Sequence, residues 1–310
     1  MHYSPLRYPG GKSKLASFIA KICIDNNISD TYIEPYAGGA SVALDLLMNN
    51  VVEKIHINDA DRSIYAFWYV LVNHPEVLMQ VIQDTTVDMD TWEFQKEVQK
   101  RKDRCDILDL AVSTFFLNRT NRSGILKAGV IGGNDQSGNY KIDCRFNKIN
   151  LLRRMEVIAS KRNKITVTNL DAIELIVREE KKSENLRKLA YFDPPYYYKA
   201  ESLYMNHYKP DDHLVVSNHI KSIKKFHFVV SYDDTPEIRA LYGSLRQKRY
   251  SFAHNIINSR EGKEILFFDN RLKLDNLDSR NPIGYKRSKK NQDVIIYKDY
   301  QSKLKKSTAV

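Results

Sequence analysis

The sequence is poor in the features that mark several classes of protein. Only three cysteines, Cys23, Cys105 and Cys144, occur in 310 residues. Their spacing matches neither a metal-binding nor a redox pattern, which excludes a disulfide scaffold and a cysteine-ligated metal centre. The apolar run at 65–72 is among the longest, far short of the roughly twenty residues a membrane span needs. The opening Met1-His2-Tyr3-Ser4-Pro5-Leu6-Arg7 lacks the apolar core of a signal peptide. No internal repeat or low-complexity tract is present. His207, His213 and His219 recur at a spacing that does not align them on one helical face, so no metal is expected there. The chain reads as a cytoplasmic protein with reduced thiols, no membrane contact and no metal, long enough to bury a core unaided.

Acidic residues are also in deficit. Against 49 Lys and Arg stand 38 Asp and Glu, a net charge of +11. Such an excess favours a polyanionic partner, nucleic acid before an acidic membrane surface. The charge is uneven, because a net +6 lies in the last 27 residues, from Gly284 onward. A lysine run of that kind is either a solvated tail or a nonspecific grip on phosphate.

What is present is alternation. Short β-type runs at 31–33, 54–57, 164–168, 189–192, 226–230 and 265–268 are separated by stretches of helical spacing at 41–48, 171–177 and 213–224. This βαβ pattern implies a parallel sheet, interrupted between 74 and 164 by a different module: an apolar helical run at 109–118, then a Gly, Asn, Ser and Arg-rich segment at 119–141. In such sheets ligands bind beyond the carboxyl ends of the strands.

Three loops stand at such ends. Glu34-Pro35-Tyr36-Ala37-Gly38-Gly39-Ala40 follows one strand and precedes a helix, where glycine admits a close ligand and the helix start offers free N–H groups. A plain tight turn is the alternative reading of Gly-Gly. Asn58-Asp59, after the next strand, is where an acidic residue bonds ribose hydroxyls in nucleotide-binding α/β domains. Arg7-Tyr8-Pro9-Gly10-Gly11-Lys12 opens the chain but lacks the spacing of a phosphate-binding P-loop. The most specific signal is Asp193-Pro194-Pro195-Tyr196. A flat base resting on Tyr196 could place its two amino hydrogens on the Asp193 carboxylate and the Pro194 carbonyl, which frees the nitrogen lone pair to attack an electrophile.

With these motifs, in this order, the sequence resembles the amino-methyltransferases that use S-adenosylmethionine, specifically the DNA N6-adenine methyltransferases of the Dam type. The match runs over roughly residues 5–270: an aromatic-x-Gly-Gly-Lys opening, an F-x-G-x-G loop, an acidic second-strand end, an inserted recognition module and a DPPY tetrad. The resemblance implies an α/β fold, a Rossmann-like methyltransferase sheet with an inserted, mainly helical target-recognition module. Its domains would be 1–73 with 165–270 for catalysis, 74–164 for target recognition, and a basic extension over 271–310.

It also implies roles. Tyr8 and Lys12 would lie near the methionine part of S-adenosyl-L-methionine, Lys12 at its carboxylate; Glu34, Pro35, Tyr36 and Gly38 would line the same ligand. Asp59 would take the ribose and Asp171 the adenine edge, while Asp193, Pro194 and Tyr196 would hold an adenine flipped out of double-stranded DNA. Tyr36 replaces the usual Phe. Ala40 stands where the pattern often has its last glycine, which is tolerable if residue 40 is already helical.

In the insert, Asn118-Arg119-Thr120-Asn121-Arg122-Ser123-Gly124 resembles the start of the family's recognition loop, and Asn and Arg are the residues that read adenine and guanine edges. Asn118, Arg119, Asn121, Arg122, Lys127, Lys141 and Arg145, with Arg7 and Tyr197, form the expected DNA surface. The segment 126–133 departs from the pattern of a GATC-specific enzyme, so that target is not assigned. A restriction endonuclease is a possible partner. The competing readings are an N4-cytosine methyltransferase, which more often carries Ser in place of Asp193, an enzyme acting on protein glutamine or on RNA, and a catalytically silent DNA-binding module, which would be expected to lose part of the tetrad or the cofactor loop.

Overall fold

The alternating apolar runs become one sheet of seven strands: β1 (Thr31–Glu34), β2 (Lys54–Asn58), β3 (Ile165–Thr168), β4 (Leu189–Phe192), β5 (His227–Asp233), β6 (Arg246–Phe252) and β7 (Gly262–Phe268). The structure is a computed structural model and describes residues 3–8, 12–197, 208–252, 262–274 and 282. Pro9, Gly10 and Gly11 of the opening motif, Tyr198, Tyr204, His207 and the basic tail beyond Gly284 lie outside the described residues.

Strand order is β3-β2-β1-β4-β5-β7-β6. The first five are parallel, and β7 enters antiparallel between β5 and β6. The order reverses between β1 and β4, so the loops after these two strands open a crevice at the carboxyl edge. This is the expected Rossmann-like α/β class. All four residues of β4 are buried, as is β5 through Tyr232. Burial on both faces explains why these strands read as continuous apolar runs.

Ten helices are described: α1 (Ala16–Asp25), α2 (Ser41–Met48), α3 (Arg62–Asn73), α4 (Pro75–Asp84), α5 (Met89–Lys100), α6 (Ile107–Thr120), α7 (Lys148–Ala159), α8 (Ala172–Glu180), α9 (Pro210–Lys221) and α10 (Pro236–Leu241). Side-chain oxygens start several of them. Asp61, Asp106 and Asp171 each accept from the backbone N–H two residues on, and Asp88, Asn147 and Thr235 from the one three residues on, filling donors that a helix leaves open. One core packs α1, α2, α3 and α4–α7 on one face of the sheet; the other packs α8, α9 and α10 on the opposite face. The segment 74–164 is mainly helical but has no core of its own. Phe67 of α3 stacks on Phe115 of α6 at 5.8 Å, and Phe146 closes over Phe115 and Phe116.

Among the described residues, no helix is long and apolar enough to cross a membrane and no group of His, Cys, Asp and Glu could hold a metal. Among the described strands, β6 is the one sequence reading missed. Its Arg-Gln-Lys-Arg start shows no apolar alternation because an edge strand faces water, and charge there deters pairing with another chain.

The condition under which Ala40 would be tolerable, a helical backbone, is not met. Ala40 has φ 47° and ψ 33°, in the left-handed region, one residue before α2. Its N–H bonds the Ala37 carbonyl and its carbonyl accepts from Leu44, so the turn imposes the conformation. A Cβ in that region costs roughly 1–2 kcal/mol. Ala40→Gly should therefore raise stability by about 1 kcal/mol, read as a higher urea midpoint with an unchanged slope; a lower midpoint would contradict the strain.

Candidate active site

At the carboxyl edge, the loop after β1 is shaped by close approach. Gly38 has φ +46°, and a Cβ there would lie 2.7 Å from the Tyr8 ring. The opening motif thus packs its aromatic directly on the glycine loop, and only glycine fits. Trp68 of α3 donates its indole N–H to the Gly38 carbonyl at 2.8 Å, and the Gly38 N–H donates to Asp59 Oδ2 at 2.9 Å. Asp59 Oδ1 accepts from the Asp61 N–H at 2.9 Å. Burial, then the charge of Asp61, push the Asp59 carboxyl up to about 7. Each carboxylate oxygen retains a further lone pair, the capacity a vicinal diol would use.

Asn58, fully buried, fastens three strand ends. Its Nδ2 donates to the carbonyls of Pro35 and Leu170 at 2.9 and 3.0 Å, and its Oδ1 accepts from Thr168 Oγ1 and the Leu170 N–H. Pro35 therefore shapes the loop with its carbonyl turned inward. Glu34 is buried with Oε1 on the Ala43 N–H at 3.0 Å, and burial pushes its carboxyl up to about 8. A buried acid so raised ionises readily only when a cation comes near. Tyr36 meets Tyr208 through their hydroxyls at 2.7 Å. Asp171 is exposed and caps α8, accepting the Ile173 N–H at 2.8 Å.

Across the crevice, β4 delivers Asp193 and Tyr196. Asp193 Oδ1 accepts from Ser231 Oγ at 2.6 Å and lies 3.3 Å from Lys12 Nζ. Tyr191, a core residue at 3% exposure, donates its hydroxyl to Ser231 at 2.8 Å. Among the described residues, the side-chain contacts of Asp193 fall on Oδ1. Burial pushes the Asp193 carboxyl up, Lys12 pulls it down and Glu264 raises it again.

Lys12 is buried, and its ammonium faces Asp193, the Tyr196 hydroxyl at 2.9 Å and Glu264 Oε1 at 3.1 Å. The expectation that it sits on a ligand carboxylate is corrected to this extent. Its charge is matched by two carboxylates of the protein, which hold the ammonium well above the ordinary lysine range against the cost of burial. Tyr196 is buried, with its hydroxyl donated to Glu264 Oε1 at 2.5 Å. Sequence reading missed Glu264 and Ser231. The one signal was an acid interrupting the apolar strand Gly262–Phe268, at a position whose neighbours two residues on are buried.

The recognition segment is joined to this site. Asn118 is 1% exposed. Its Oδ1 accepts the Arg7 N–H at 2.7 Å while its Nδ2 donates to the carbonyls of Arg7 and Gly124 at 2.6 and 2.9 Å. Asn121 is fully buried, accepting from Trp92 Nε1 and donating to the carbonyls of Ile125 and Leu126. The expectation that these two asparagines read base edges is corrected. Both amides face inward because they close the turn and pin the opening motif to it. Gly124, at φ +77°, approaches so closely that a Cβ would meet the Arg7 carbonyl at 2.4 Å.

Cations surround that junction. Arg119 Nη1 donates to the Pro5 carbonyl and Arg119 Nε to the Arg145 carbonyl, Arg7 Nη1 to Asn121 and Arg154 Nη1 to Ser4. Burial and the charges of Arg7, Arg154 and Arg145 push the Arg119 guanidinium down. The carbonyls orient these side chains, yet none of these contacts carries a negative charge. Arg122, Lys127, Lys141 and Arg145 are exposed. Tyr197 is half-buried, with its N–H on Asp233 at 3.0 Å and its ring 5.1 Å from that of His213.

Comparison with known proteins gives the family. Residues 8–260 match the family described as D12 class N6 adenine-specific DNA methyltransferase. The chain is 26% identical over 206 residues, 62% of its length and 68% of the relative's, to the Type II methyltransferase M.MjaIII of Methanocaldococcus jannaschii. Among solved structures, the rRNA methyltransferase aviRa from Streptomyces viridochromogenes aligns over 81% of this chain and 83% of its own at 10% identity, with a TM-score of 0.32. The family match includes Tyr8 and Lys12, the loop after β1, the segment 74–164 and Asp193–Tyr196. The chain belongs to the D12 class N6 adenine-specific DNA methyltransferases and is an enzyme that methylates adenine in DNA with a donor of the S-adenosylmethionine type.

Proposed function

We propose that the donor is S-adenosyl-L-methionine and that the acceptor is an adenine flipped out of duplex DNA. The bound donor supplies a sulfonium methyl group to the N6 amino nitrogen. The crevice suits it in charge: the Asp59 and Glu34 carboxyls, both raised by burial, await a diol and a cation. Tyr8, Pro35, Tyr36 and Gly38 form the wall between them, and Asp171 marks the far edge.

The single observation that carries the reading is the hold on one oxygen of the tetrad carboxylate. Asp193 Oδ1 is held by Ser231 and Lys12, which leaves Oδ2 and the Pro194 carbonyl for the two hydrogens of one amino group. A base inside the duplex cannot reach them. Extruding it costs about a few kcal/mol, and stacking on Tyr196 would return on the order of 1–3 kcal/mol. Transfer then rests on position and electrostatics rather than on a covalent enzyme intermediate.

Arg7, Arg119, Arg122, Lys127, Lys141 and Arg145 supply phosphate and base contacts on the insert side, and Tyr197 flanks the base. Asn118 and Asn121 act from behind by fixing the loop. Likeness to a protein named a Type II methyltransferase supports a restriction endonuclease as partner.

Asp193→Ala should reduce methyl transfer to background while donor binding persists; retained turnover would remove Asp193 from the chemistry. Asp59→Ala should weaken donor binding at least tenfold in a titration calorimeter, and an unchanged affinity would remove it from the site. Arg145→Ala removes an exposed side chain and leaves its carbonyl in place. The slope of log affinity against log salt should fall by about 0.9, because one phosphate is no longer neutralised, whereas an unaltered slope would take Arg145 off the DNA.

A further inference from the structure

We propose that Glu264 is a positioning residue for methyl transfer, holding the Lys12 ammonium and the Tyr196 hydroxyl so that Asp193 and the Tyr196 ring present a fixed acceptor and a fixed plane to the target base. The inference rests on the reading of Asp193 as the acceptor of the amino group.

Topology puts Glu264 there. Because β7 runs antiparallel to its neighbours, its first residues lie at the carboxyl edge of the parallel strands, where the crevice opens. In register, Glu264 stands opposite Asp233 of β5 and Tyr250 of β6. Directly paired residues point to the same side of a sheet, and Tyr250 accordingly donates its hydroxyl to Glu264 Oε2 at 2.5 Å. The other oxygen, Oε1, receives Tyr196 at 2.5 Å and Lys12 at 3.1 Å. Glu264 is 2% exposed, and a carboxyl so buried needs such donors around it.

The consequence for Asp193 is a balance of charge. One buried ammonium lies between two carboxylates, 3.1 Å from Glu264 and 3.3 Å from Asp193. Without Glu264, Asp193 would be the carboxylate left on Lys12, and the ion pair at Oδ1 would draw electron density from the whole carboxylate, weakening Oδ2 as an acceptor for the base. With it, Lys12 is shared and Asp193 stays a strong acceptor. The same carboxylate anchors the hydroxyl of Tyr196, whose ring lies 5.1 Å from Lys12 Nζ. A ring fixed at both ends of its side chain offers one plane, and a small misplacement of reacting groups costs on the order of 100-fold in rate.

The groups that face Asp193 come from every element around it: Lys12 from the 3-10 turn Lys12–Leu15, Glu34 from β1, Tyr191 from β4, Ser231 and Tyr232 from β5, and Glu264 from β7. Of these, Glu34 and Glu264 are acids, and Glu264 is the one bonded to the same ammonium. Its negative charge raises the Asp193 carboxyl, so neutralising it should lower that group and move the acidic limb of the rate profile to lower pH.

The test is single-turnover methyl transfer by the full chain on unmethylated duplex DNA carrying its target site, with Glu264→Gln, Tyr250→Phe and Asp193→Ala compared. Glu264→Gln should lower the single-turnover rate about 10- to 100-fold, leave donor and DNA dissociation constants within about twofold, and shift the acidic limb downward. Tyr250→Phe, which removes one donor from Glu264 at constant shape, should lower the rate less and keep the fold if Glu264→Gln does not. Folded variants with the parental rate and an unmoved acidic limb would overturn the proposal. So would weakened binding at an unchanged rate, which marks a merely structural role. If Asp193→Ala keeps its activity, the reading of Asp193 fails instead, independently of Glu264.

Discussion

A lysine ammonium buried in the protein interior must be matched by negative charge, and the architecture of this enzyme's crevice follows from how Lys12 is matched. Its partners come from distant parts of the chain: Asp193 after β4, Tyr196 three residues later, and Glu264 on β7. A strand-end carboxylate, an aromatic and an antiparallel strand are thereby locked to the first turn of the chain. The desolvation of such a charge is worth several kcal/mol, so none of these elements can drift without exposing an uncompensated ion. Asp193 is held by one oxygen, Oδ1, between Ser231 and Lys12.

The same opening segment connects the two ends of the reaction. Tyr8 lies on Gly38 of the donor loop, while the backbone of Arg7, next to it, is bonded on both sides by Asn118 of the recognition insert. Tyr8 and Lys12 are four positions apart, so the loop after β1, the turn that follows Asn118 and the Asp193–Tyr196 segment converge on one short stretch. The insert also shares a single core with α3 through Phe67 and Phe115. The segment 74–164 is therefore packed into the same unit as the sheet rather than hung from it, and the arginines around Arg119 are oriented by carbonyls that belong to both parts.

Much of this was legible in the sequence. The buried parallel strands announced themselves as apolar runs, and Asp193-Pro194-Pro195-Tyr196 is specific because a carboxylate, two stiff peptides and an aromatic at a strand end have few other uses. What could not be read were contacts made across the fold. Asn118 and Asn121 have the chemistry of base readers, and only their burial shows that they serve the loop. Lys12 carries the charge to meet a ligand carboxylate, but two protein carboxylates arrive first. Glu264 belongs to a strand whose partner β6 is masked by edge charge, so its meeting with Lys12, some 250 positions earlier, left no local pattern. Ala40 shows the reverse case, a residue whose left-handed backbone contradicts its type because the turn from Ala37 demands it.

The basic balance of the chain has acquired a location. Arginines oriented by backbone carbonyls gather where the insert meets the opening segment. The most direct measurement is a structure of the enzyme with duplex DNA and a donor analogue that cannot transfer its methyl group. The account predicts the target adenine outside the helix, with its amino nitrogen about 2.7–3.2 Å from both Asp193 Oδ2 and the Pro194 carbonyl, and Lys12 still between Asp193 and Glu264. An adenine that remains stacked, or a Lys12 that has left Asp193 and Glu264 for the donor, would contradict it.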